Sequence, residues 1–330
     1  MASAARRGEF ETIARYFAPL ADSPAALGLG NDAAVLAPPA GRDLVLTADA
    51  MIAGVHFLPD DPPETVGRKL LRVNLSDLAA MGAAPLGYLL TCAWPRDVEE
   101  AWIAAFAAGL AEDQARFAIQ LLGGDTTSGP GPLSLSLTAL GSVAPGRALP
   151  RSGAKAGDEV LVSGTIGDGA LGLLARQGRL SGLSPENERY LTARYRLPEP
   201  RLALGRALAE AGLATACLDV SDGLVADLGH IAETSGLGAE IEAAAVPLSA
   251  AAQEVVADDL ARFPLLLSGG DDYELCFTVA PGSLEAVLAA AERAEMAVSR
   301  IGRMVPGEGV RVLDRDRQPL TLDRGGWQHF

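Results

Sequence analysis

The stretch that decides the fold runs from residue 64 to residue 82 and reads E-T-V-G-R-K-L-L-R-V-N-L-S-D-L-A-A-M-G. Good helix formers fill it, Pro62 and Pro63 precede it, and Gly82 followed by Pro85 marks its end, so the sequence predicts one helix. Its apolar residues are spaced to cover a broad face packed into a core: Val66, Leu70, Leu71, Val73, Leu78 and Met81.

Asp77 falls in the most apolar part of this helix, one turn after Asn74 and on roughly the same side. An ionised carboxylate there is costly unless a cation or a strong donor meets it. A buried ion pair with Arg72 or Lys69, or a cap on a neighbouring loop, would satisfy it, and so would a functional cation. The helix alone leaves these alternatives open.

The length of the chain, 330 residues, favours two domains, and residues 145–157, which are turn-rich and basic, are the predicted boundary region. We therefore expect one domain over residues 1–148 and a second over residues 149–330. Arg147, Arg151 and Lys155 lie in this boundary region, where they are either a solvated linker or a contact for phosphate.

The overall charge limits the partners. A formal net charge of −15 argues against binding to nucleic-acid backbones and to anionic membranes. Three cysteines without metal-type spacing are typical of reduced core residues, so we expect a cytoplasmic protein. No apolar run approaches the roughly 20 residues that a membrane-spanning helix needs.

Several acids end an apolar strand or sit within an apolar helix: Asp32, Asp49, Asp77, Asp125, Asp219, Asp222, Asp271 and Asp272. Two carboxylates about 6 Å apart repel by roughly 3 kcal/mol at an effective dielectric near 20, so convergence of several would require cations. Glycines and hydroxyls beside them resemble loops that hold hard divalent ions, which indicates phosphoryl transfer. The bland alternatives are helix capping for Ser221 or Asp222 and a core role for His56.

Two further patterns bear on function. The spacing Gly28-x-Gly30-x-x-Ala33 imitates a dinucleotide-binding fingerprint, but no apolar strand precedes it and A-A-V-L-A-P-P follows, so we reject a dehydrogenase. Serine-aspartate at residues 76–77 and 221–222 precedes Gly-Gly-Asp at residues 123–125 and 269–271 by a similar interval, which hints at a related α/β unit in each half.

The motifs together resemble the bacterial thiamine-monophosphate kinase family, a member of the superfamily of aminoimidazole ribonucleotide synthetase and selenophosphate synthetase. The matching segments run in order from residue 8 to residue 330: G-E-F-E-T-I-A-R, G-N-D-A-A-V-L, T-A-D-A-M-I-A-G-V-H-F, V-N-L-S-D-L-A-A-M-G-A-A-P, G-G-D-T-T, L-D-V-S-D-G-L, S-G-G-D-D-Y-E-L and G-W-Q-H-F. Shorter pieces match the whole superfamily, whereas V-H-F, S-G-G-D-D-Y-E-L and the W-x-H-F tail favour this member.

The resemblance implies ATP-dependent phosphorylation of thiamine monophosphate to the diphosphate, on a two-domain α/β (α+β) fold. The N-terminal domain would dimerise through its mixed sheet to give a homodimer, with a C-terminal α/β domain beside it. By motif, several Mg²⁺ ions would be bound by Asp32, Thr47, Ala48, Asp49, Asp77, Asp125, Asp219 and Asp222. The residues at the centre of catalysis would be Asp77, Asp125 and Asp222. Contacts to ATP would come from Gly124, Asp125, Arg151 and Ser221. Contacts to thiamine monophosphate would come from His56, Asp271 and Trp327.

Three positions depart from the family pattern: Asn31 stands for a common Asp, Ala48 for a Thr and Asp271 for a Glu. A metal contact at Ala48 must therefore come from its backbone carbonyl, and Asp271 reaches one methylene less far. None of these changes removes a central acid, so we expect activity. The alternatives are another ATP-dependent synthetase of the superfamily, acting on a purine precursor, and a non-catalytic metal- or nucleotide-binding relative.

Overall fold

The computed structural model describes residues 8–321 and residue 326. The chain divides into two compact units, each treated separately below. The first comprises the chain up to Leu78 together with Ala84–Val143, and the second comprises Ala79–Ala83 and the chain from Ala144 onward. The chain thus passes from the first unit to the second between residues 143 and 144, whereas the domain limits at 148 and 149 remain a prediction.

The first unit contains a four-stranded mixed sheet in the order β1-β4-β2-β3. Strand β4 pairs antiparallel with both β1 and β2, and β2 pairs parallel with β3. The elements are α1 (Glu9–Thr12), β1 (Asp43–Ile52), α2 (Pro63–Ala80), β2 (Ala84–Pro95), α3 (Glu100–Phe117), β3 (Leu121–Gly129) and β4 (Ser134–Val143). In β1, Val45 and Met51 are buried while Leu44 and Leu46 are exposed, so the sheet has one covered face and one open face.

The predicted helix over residues 64–82 is α2, and it packs closely against α3. A Cβ at Gly67 would lie 2.5 Å from the carbonyl oxygen of Phe106, and one at Gly109 would lie 2.0 Å from that of Glu64. Glycine at these two positions therefore lets the two helix backbones approach within a distance that any side chain would prevent. The helix ends at Ala80 and is followed by Gly82 in a left-handed conformation, as predicted.

The segment Ala79–Ala83, which begins with the last two residues of α2, belongs to the second unit, where it contacts α6 (Leu202–Ala211). A Cβ at Gly205 would lie 1.9 Å from the carbonyl oxygen of Ala79, and one at Gly82 would lie 2.3 Å from the Cβ of Ala209. The small side chains of this A-A-M-G segment thus allow a second helix to approach closely.

The segment before β1 is helical and then irregular. Residues 9–20 continue from α1 through a π-helical turn (Ile13–Phe17) into a 3-10 turn (Ala18–Leu20). A 3-10 helix (Pro24–Leu29) precedes Gly30, and no strand or helix follows before β1. The dinucleotide-binding arrangement, which needs a strand before and a helix after the glycines, is therefore absent at these residues.

The second unit contains a six-stranded sheet in the order β10-β7-β9-β5-β8-β6, antiparallel except for the β10–β7 pair. Besides α6, its elements are β5 (Glu159–Ser163), α4 (Asp168–Arg176), α5 (Pro185–Arg196), β6 (Ala214–Asp219), α7 (Leu224–Ser235), β7 (Gly238–Glu242), α8 (Ala250–Asp258), α9 (Phe263–Ser268), β8 (Leu275–Val279), α10 (Leu284–Arg293), β9 (Val298–Val305) and β10 (Gly309–Leu313). Apolar residues of β5, β6 and α7, including Val162, Leu218 and Leu228, form its main core.

Two local predictions are wrong. Residues 264–272 read as an apolar strand, but the chain forms α9 with Pro264 in its first turn, where proline costs no hydrogen bond. The A-A-V-L segment at residues 33–36 reads as a strand, but it pairs with no neighbour as part of a sheet.

Within the described ranges, no helix is both long and apolar enough to cross a membrane. The thiols of Cys92, Cys217 and Cys276 are all free and buried, as the sequence predicted.

Candidate functional site

In the first unit, β1 and α2 bring three predicted site residues, Thr47, Asp49 and Asp77, together with Asn74. Thr47 and Asp49 alternate on the face of β1 that looks toward α2, where Asn74 and Asp77 lie one turn apart. The Thr47 hydroxyl donates to the Asp77 Oδ2 at 2.5 Å, and the Asp49 backbone N–H donates to the Asn74 Oδ1 at 3.1 Å. Strand and helix thus form one cluster of hard oxygen donors. On the strand, Ala48 lies between Thr47 and Asp49 and pairs with Thr138 of β4.

The cations near Asp77 have other partners. Arg72 forms a two-point pair with Asp113 of α3, with Nε–Oδ2 at 2.5 Å and Nη2–Oδ1 at 3.0 Å. The buried Lys69 donates to the backbone carbonyl of His56 at 3.1 Å. Arg72 thus ties α2 to α3, and Lys69 ties α2 to the segment that carries His56.

His56 has a defined tautomer because of one backbone contact. Its Nδ1 accepts the N–H of Ile52 at 3.1 Å, so this nitrogen carries no proton. The proton of the neutral ring then resides on Nε2, which makes that nitrogen a hydrogen-bond donor. A half-buried histidine in this state can donate to a polar ligand.

A cavity of about 480 Å³ gathers a second group of predicted residues in the first unit. Asp32, Gly124 and Asp125 line it, and its remaining walls are mostly apolar, with Phe17 and Leu121 among them. Such a mostly apolar cleft with a few convergent polar groups is the usual form of a small-molecule site.

The residues at the edge of this cavity are set by strand packing. A Cβ at Gly124 (φ +154°) would lie 1.8 Å from the carbonyl oxygen of Leu90, so glycine is required there by the neighbouring strand. Burial, and after it the charge of Asp125, raises the pKa of the Cys92 thiol well above its usual range. Cys92 is thus an un-ionised wall residue and supplies no nucleophile.

In the second unit, the turn after β6 and the loop after α9 lie side by side. Asp271 donates its backbone N–H to the carbonyl of Ser221 at 2.9 Å, and Tyr273 donates to that of Val220 at 2.8 Å. A Cβ at Gly270 would lie 2.2 Å from the Ser221 carbonyl oxygen. Ser221 and Asp271, which the sequence assigned to two different ligands, are therefore joined by their main chains.

The start of α7 shows that neither Ser221 nor Asp222 caps the helix through its side chain. The helix has Gly223 as its N-cap without a side-chain cap bond. Instead, Asp227 turns back and accepts the N–H groups of Asp222 (3.0 Å) and Gly223 (3.1 Å). Burial, opposed by these two amides and reinforced by the charge of Asp222, raises the pKa of Asp227 to about 7. Helix capping thus does not account for either residue of the Ser-Asp pair.

The remaining predicted residues lie as follows. Asp219 is buried at the end of β6, and Arg151 is exposed, its carbonyl accepting from the Thr234 hydroxyl at 3.2 Å. Trp327 lies outside the described residues. Asp272, which the sequence grouped with acids that could hold cations, has a structural role instead. Its carboxylate is fully buried and accepts two backbone N–H groups.

Among the residues that the structure describes, no group of three or more His, Cys, Asp or Glu side chains is arranged to hold a metal ion. In the first unit the predicted acids lie in two places, the β1–α2 cluster and the wall of the cavity. In the second unit they lie in the paired turns after β6 and α9.

Sequence reasoning missed Asp227, which organises the turn before α7, and the half-buried cation Arg194. For Asp227 the sequence carried one signal, a carboxylate in the first turn of a helix, which suits the amide-rich N-terminus. Arg194 lies in a helix that the sequence did not predict, so its partners could not be anticipated.

Known proteins resemble this chain over nearly its whole length. Two family models match: AIR synthase related protein, N-terminal domain, over residues 30–143, and AIR synthase related protein, C-terminal domain, over residues 155–315. The thiamine-monophosphate kinase of Caulobacter vibrioides is 47% identical over 99% of this chain and 92% of its own length. The crystal structure of thiamine-monophosphate kinase from Stenotrophomonas maltophilia is 45% identical, with a TM-score of 0.79 over 86% of this chain and 89% of that one. The structure of AaThiL complexed with AMPPCP and TMP is 31% identical, with a TM-score of 0.76 over 99% of this chain and 100% of that one.

Proposed function

The chain belongs to the AIR synthase related proteins and, among them, to the thiamine-monophosphate kinases, and we propose that it works by direct in-line phosphoryl transfer. Its reaction is the ATP-dependent phosphorylation of thiamine monophosphate to thiamine diphosphate. The observation that carries this conclusion is the 47% identity to one such kinase across 99% of the chain. The two-domain α/β fold predicted from the sequence is confirmed.

The attacking atom is a terminal phosphate oxygen of thiamine monophosphate. That oxygen is already ionised at neutral pH, so the reaction needs no general base. Catalysis then consists of holding the two phosphates in line and offsetting their charge. We assign the central roles to Asp77, Asp125 and Asp222, each of which belongs to a different one of the three acidic places described above.

The donor chemistry of these places fits Mg²⁺. Carboxylate, hydroxyl and carbonyl oxygens are hard ligands, and Mg²⁺ is usually bound by one or two carboxylates plus phosphate oxygens and waters, without a complete protein cage. The Thr47–Asp77 contact, with Asp49 beside it, supplies such a partial set. The other proposed ligands are Asp32, the Ala48 carbonyl, Asp125, Asp219 and Asp222. Bound there, Mg²⁺ would offset phosphate charge.

The substrate contacts remain proposals that rest on both motif and geometry. The apolar walls beside Asp125 suit the base of a nucleotide, with Gly124, Arg151 and Ser221 as further ATP contacts. Contacts to thiamine monophosphate are assigned to His56, Asp271 and Trp327. The tautomer of His56 supports its assignment, because a proton on Nε2 can be donated to a phosphate oxygen.

We further propose that the protein is a homodimer formed through the open face of the first sheet. Leu44, Leu46 and Leu89 are exposed there by 43%, 63% and 40% of their surface, a large apolar area for one strand layer. A second copy of the same face would cover it in a two-fold contact. A cytoplasmic location is also proposed, supported by the three free buried thiols.

The decisive experiment is an assay with product identification. The protein is incubated with ATP and Mg²⁺ and either thiamine monophosphate or formylglycinamidine ribonucleotide, and the products are separated and identified by mass. Thiamine diphosphate and ADP in equal amounts are expected from the first mixture and no turnover from the second. ADP formed only with the purine precursor would identify a different synthetase, and no ADP with either would indicate a non-catalytic relative.

A further inference from the structure

The loop formed by residues 269–273 holds two non-glycine residues in a strained conformation. Asp271 has φ +71° and Tyr273 has φ +53°, both in the left-handed region that ordinary residues rarely adopt. Such residues persist only where surrounding contacts over-determine the backbone. The loop carries Asp271, the proposed contact to thiamine monophosphate, so whatever holds it also sets the direction of that side chain.

Beneath the loop, the side chains that alternate with Asp271 point inward. Asp272 and Glu274 are both completely buried. The carboxylate of Asp272 accepts the N–H of Gly167 at 2.7 Å and that of Gly169 at 2.9 Å. A Cβ at Gly169 would lie 2.3 Å from the carbonyl oxygen of Asp271, so the loop rests directly on the start of α4.

Two arginines complete the buried network. Arg194 of α5 donates through Nη2 to the backbone carbonyl of Asp272 at 3.2 Å and to the Glu274 Oε1 at 2.9 Å. Arg201 binds the same carboxylate from the other side, with Nε–Oε2 at 2.7 Å, and Ser163 donates to it at 2.6 Å. The guanidinium of Arg194 thus joins the main chain of the loop to an acid just before strand β8, through the two hydrogens of one nitrogen, Nη2, whose directions the planar group fixes.

We propose that Arg194 is a positioning residue, which sets the backbone of residues 271–274 through Asp272 and Glu274 and thereby aims Asp271 at thiamine monophosphate. This inference rests on the proposed function and deepens it. A network of buried ions is a weak source of net stability but a strong constraint on geometry, because each partner left unpaired is costly. The fixed loop is therefore what the network provides to the site.

The test is a double-mutant cycle measured by steady-state kinetics on the full-length protein. The variants are Arg194→Lys, Asp271→Ala and the combination of the two. The matched control is Arg189→Lys, the same substitution at an exposed position of the same helix. Lysine keeps the charge of Arg194 but has a shorter side chain without the planar guanidinium, so its ammonium cannot stand where Nη2 makes both bonds.

We expect Arg194→Lys to raise the KM for thiamine monophosphate by about tenfold, the loss expected for one charge-assisted hydrogen bond, with the KM for ATP changed less than about twofold. In the Asp271→Ala background the same change should raise the KM less than about twofold, because Arg194 acts through Asp271. Arg189→Lys should match the wild-type protein. If Arg194→Lys does not fold by circular dichroism, Glu274→Gln, which weakens the same contacts, should show the same selective effect.

Additive effects of Arg194→Lys and Asp271→Ala, or equal changes in the KM values of both substrates, would overturn the positioning role. So would an unchanged KM in Asp271→Ala. The wild-type measurement separates this result from the larger claim. Wild-type protein that forms no thiamine diphosphate refutes the proposed function and this inference with it, whereas wild-type turnover with additive variants refutes the positioning role alone.

Discussion

Two buried or half-buried aspartates of the first unit allow a functional acid to be separated from a structural one by the same substitution. Asp77 is half-buried and bonded to the hydroxyl of Thr47, whereas Asp113 is fully buried and bonded to Arg72. Both lie on helices, at 77 in α2 and at 113 in α3. We predict that Asp77→Asn removes activity with little change in stability, and that Asp113→Asn does the opposite.

The magnitudes follow from the contacts. An asparagine at residue 77 can still exchange a hydrogen bond with the hydroxyl of Thr47, which both donates and accepts, so the free energy of unfolding should fall by less than about 1 kcal/mol. The lost charge removes one preorganised electrostatic group, a loss that lowers kcat by about 10²- to 10³-fold in comparable sites. At Asp113 the buried guanidinium of Arg72 loses its counter-charge, which costs about 3–5 kcal/mol and lowers the Tm by roughly 6–20 °C.

The measurements are ADP release coupled to detection of thiamine diphosphate, and thermal unfolding followed by circular dichroism, both at the same Mg²⁺ concentration. The activity of Asp113→Asn is expressed per folded molecule at a temperature well below its Tm, where it should stay within about threefold of wild type. Normal turnover by Asp77→Asn at ordinary Mg²⁺ would refute the central role of this carboxylate. A Tm for Asp113→Asn equal to that of wild type would refute the structural assignment of the second acid.

Three further predictions test separate parts of the structure. In metal-free protein, Asp227 has a folded-state pKa of about 7 against an ordinary value near 4. The free energy of unfolding should therefore fall as pH rises from about 4 to 7, and Asp227→Asn should flatten this dependence in urea titrations. Leu46→Glu places a charge on the open sheet face and should convert the proposed dimer to a monomer in sedimentation velocity, whereas an unchanged sedimentation coefficient at dimer mass would exclude this face. Gly109→Ala should lower the Tm strongly because its Cβ would meet the Glu64 carbonyl at 2.0 Å, whereas Gly229→Ala, a helical glycine whose Cβ would meet only a Val310 methyl at 3.9 Å, should leave the Tm unchanged or raise it slightly.

The elements that the sequence predicts correctly are those whose ends are marked locally. Pro62 before α2, Pro63 at its first residue and Gly82 after it place that helix to within two residues. The apolar run over residues 264–267 does not by itself indicate a helix or a strand, because a short buried helix and a buried strand can have the same apolar composition. There, Pro264 was the relevant signal, because proline in the first turn favours a helix over a strand.

The site is harder to predict because the role of an acid depends on contacts that are distant in sequence. Asp271 and Asp272 are adjacent and chemically identical, yet one is partly exposed beside Ser221 and the other is buried on the start of α4. The backbone at residue 271 also makes a left-handed turn, with φ +71°. No local pattern in D-D-Y-E specifies that turn.

The Ser-Asp and Gly-Gly-Asp motifs recur at a similar spacing in the two halves of the chain, but they do not mark a repeated structural unit. Their intervals are nearly equal, 125 − 77 = 48 and 271 − 222 = 49, but residues 75–77 lie inside α2 whereas residues 220–222 form a turn after β6. Residues 123–125 lie in β3, whereas residues 269–271 form a loop after α9. The prediction of a duplicated α/β unit is therefore wrong for these segments. What recurs is a packing requirement: at Gly124 and Gly270 a neighbouring carbonyl comes within about 2 Å of where a Cβ would stand. Because a side chain at either glycine would collide with that carbonyl, the backbone just before Asp125 and just before Asp271 is closely packed. Such packing limits the movement of the two aspartates, as the proposed roles of a cation ligand and a substrate contact would require.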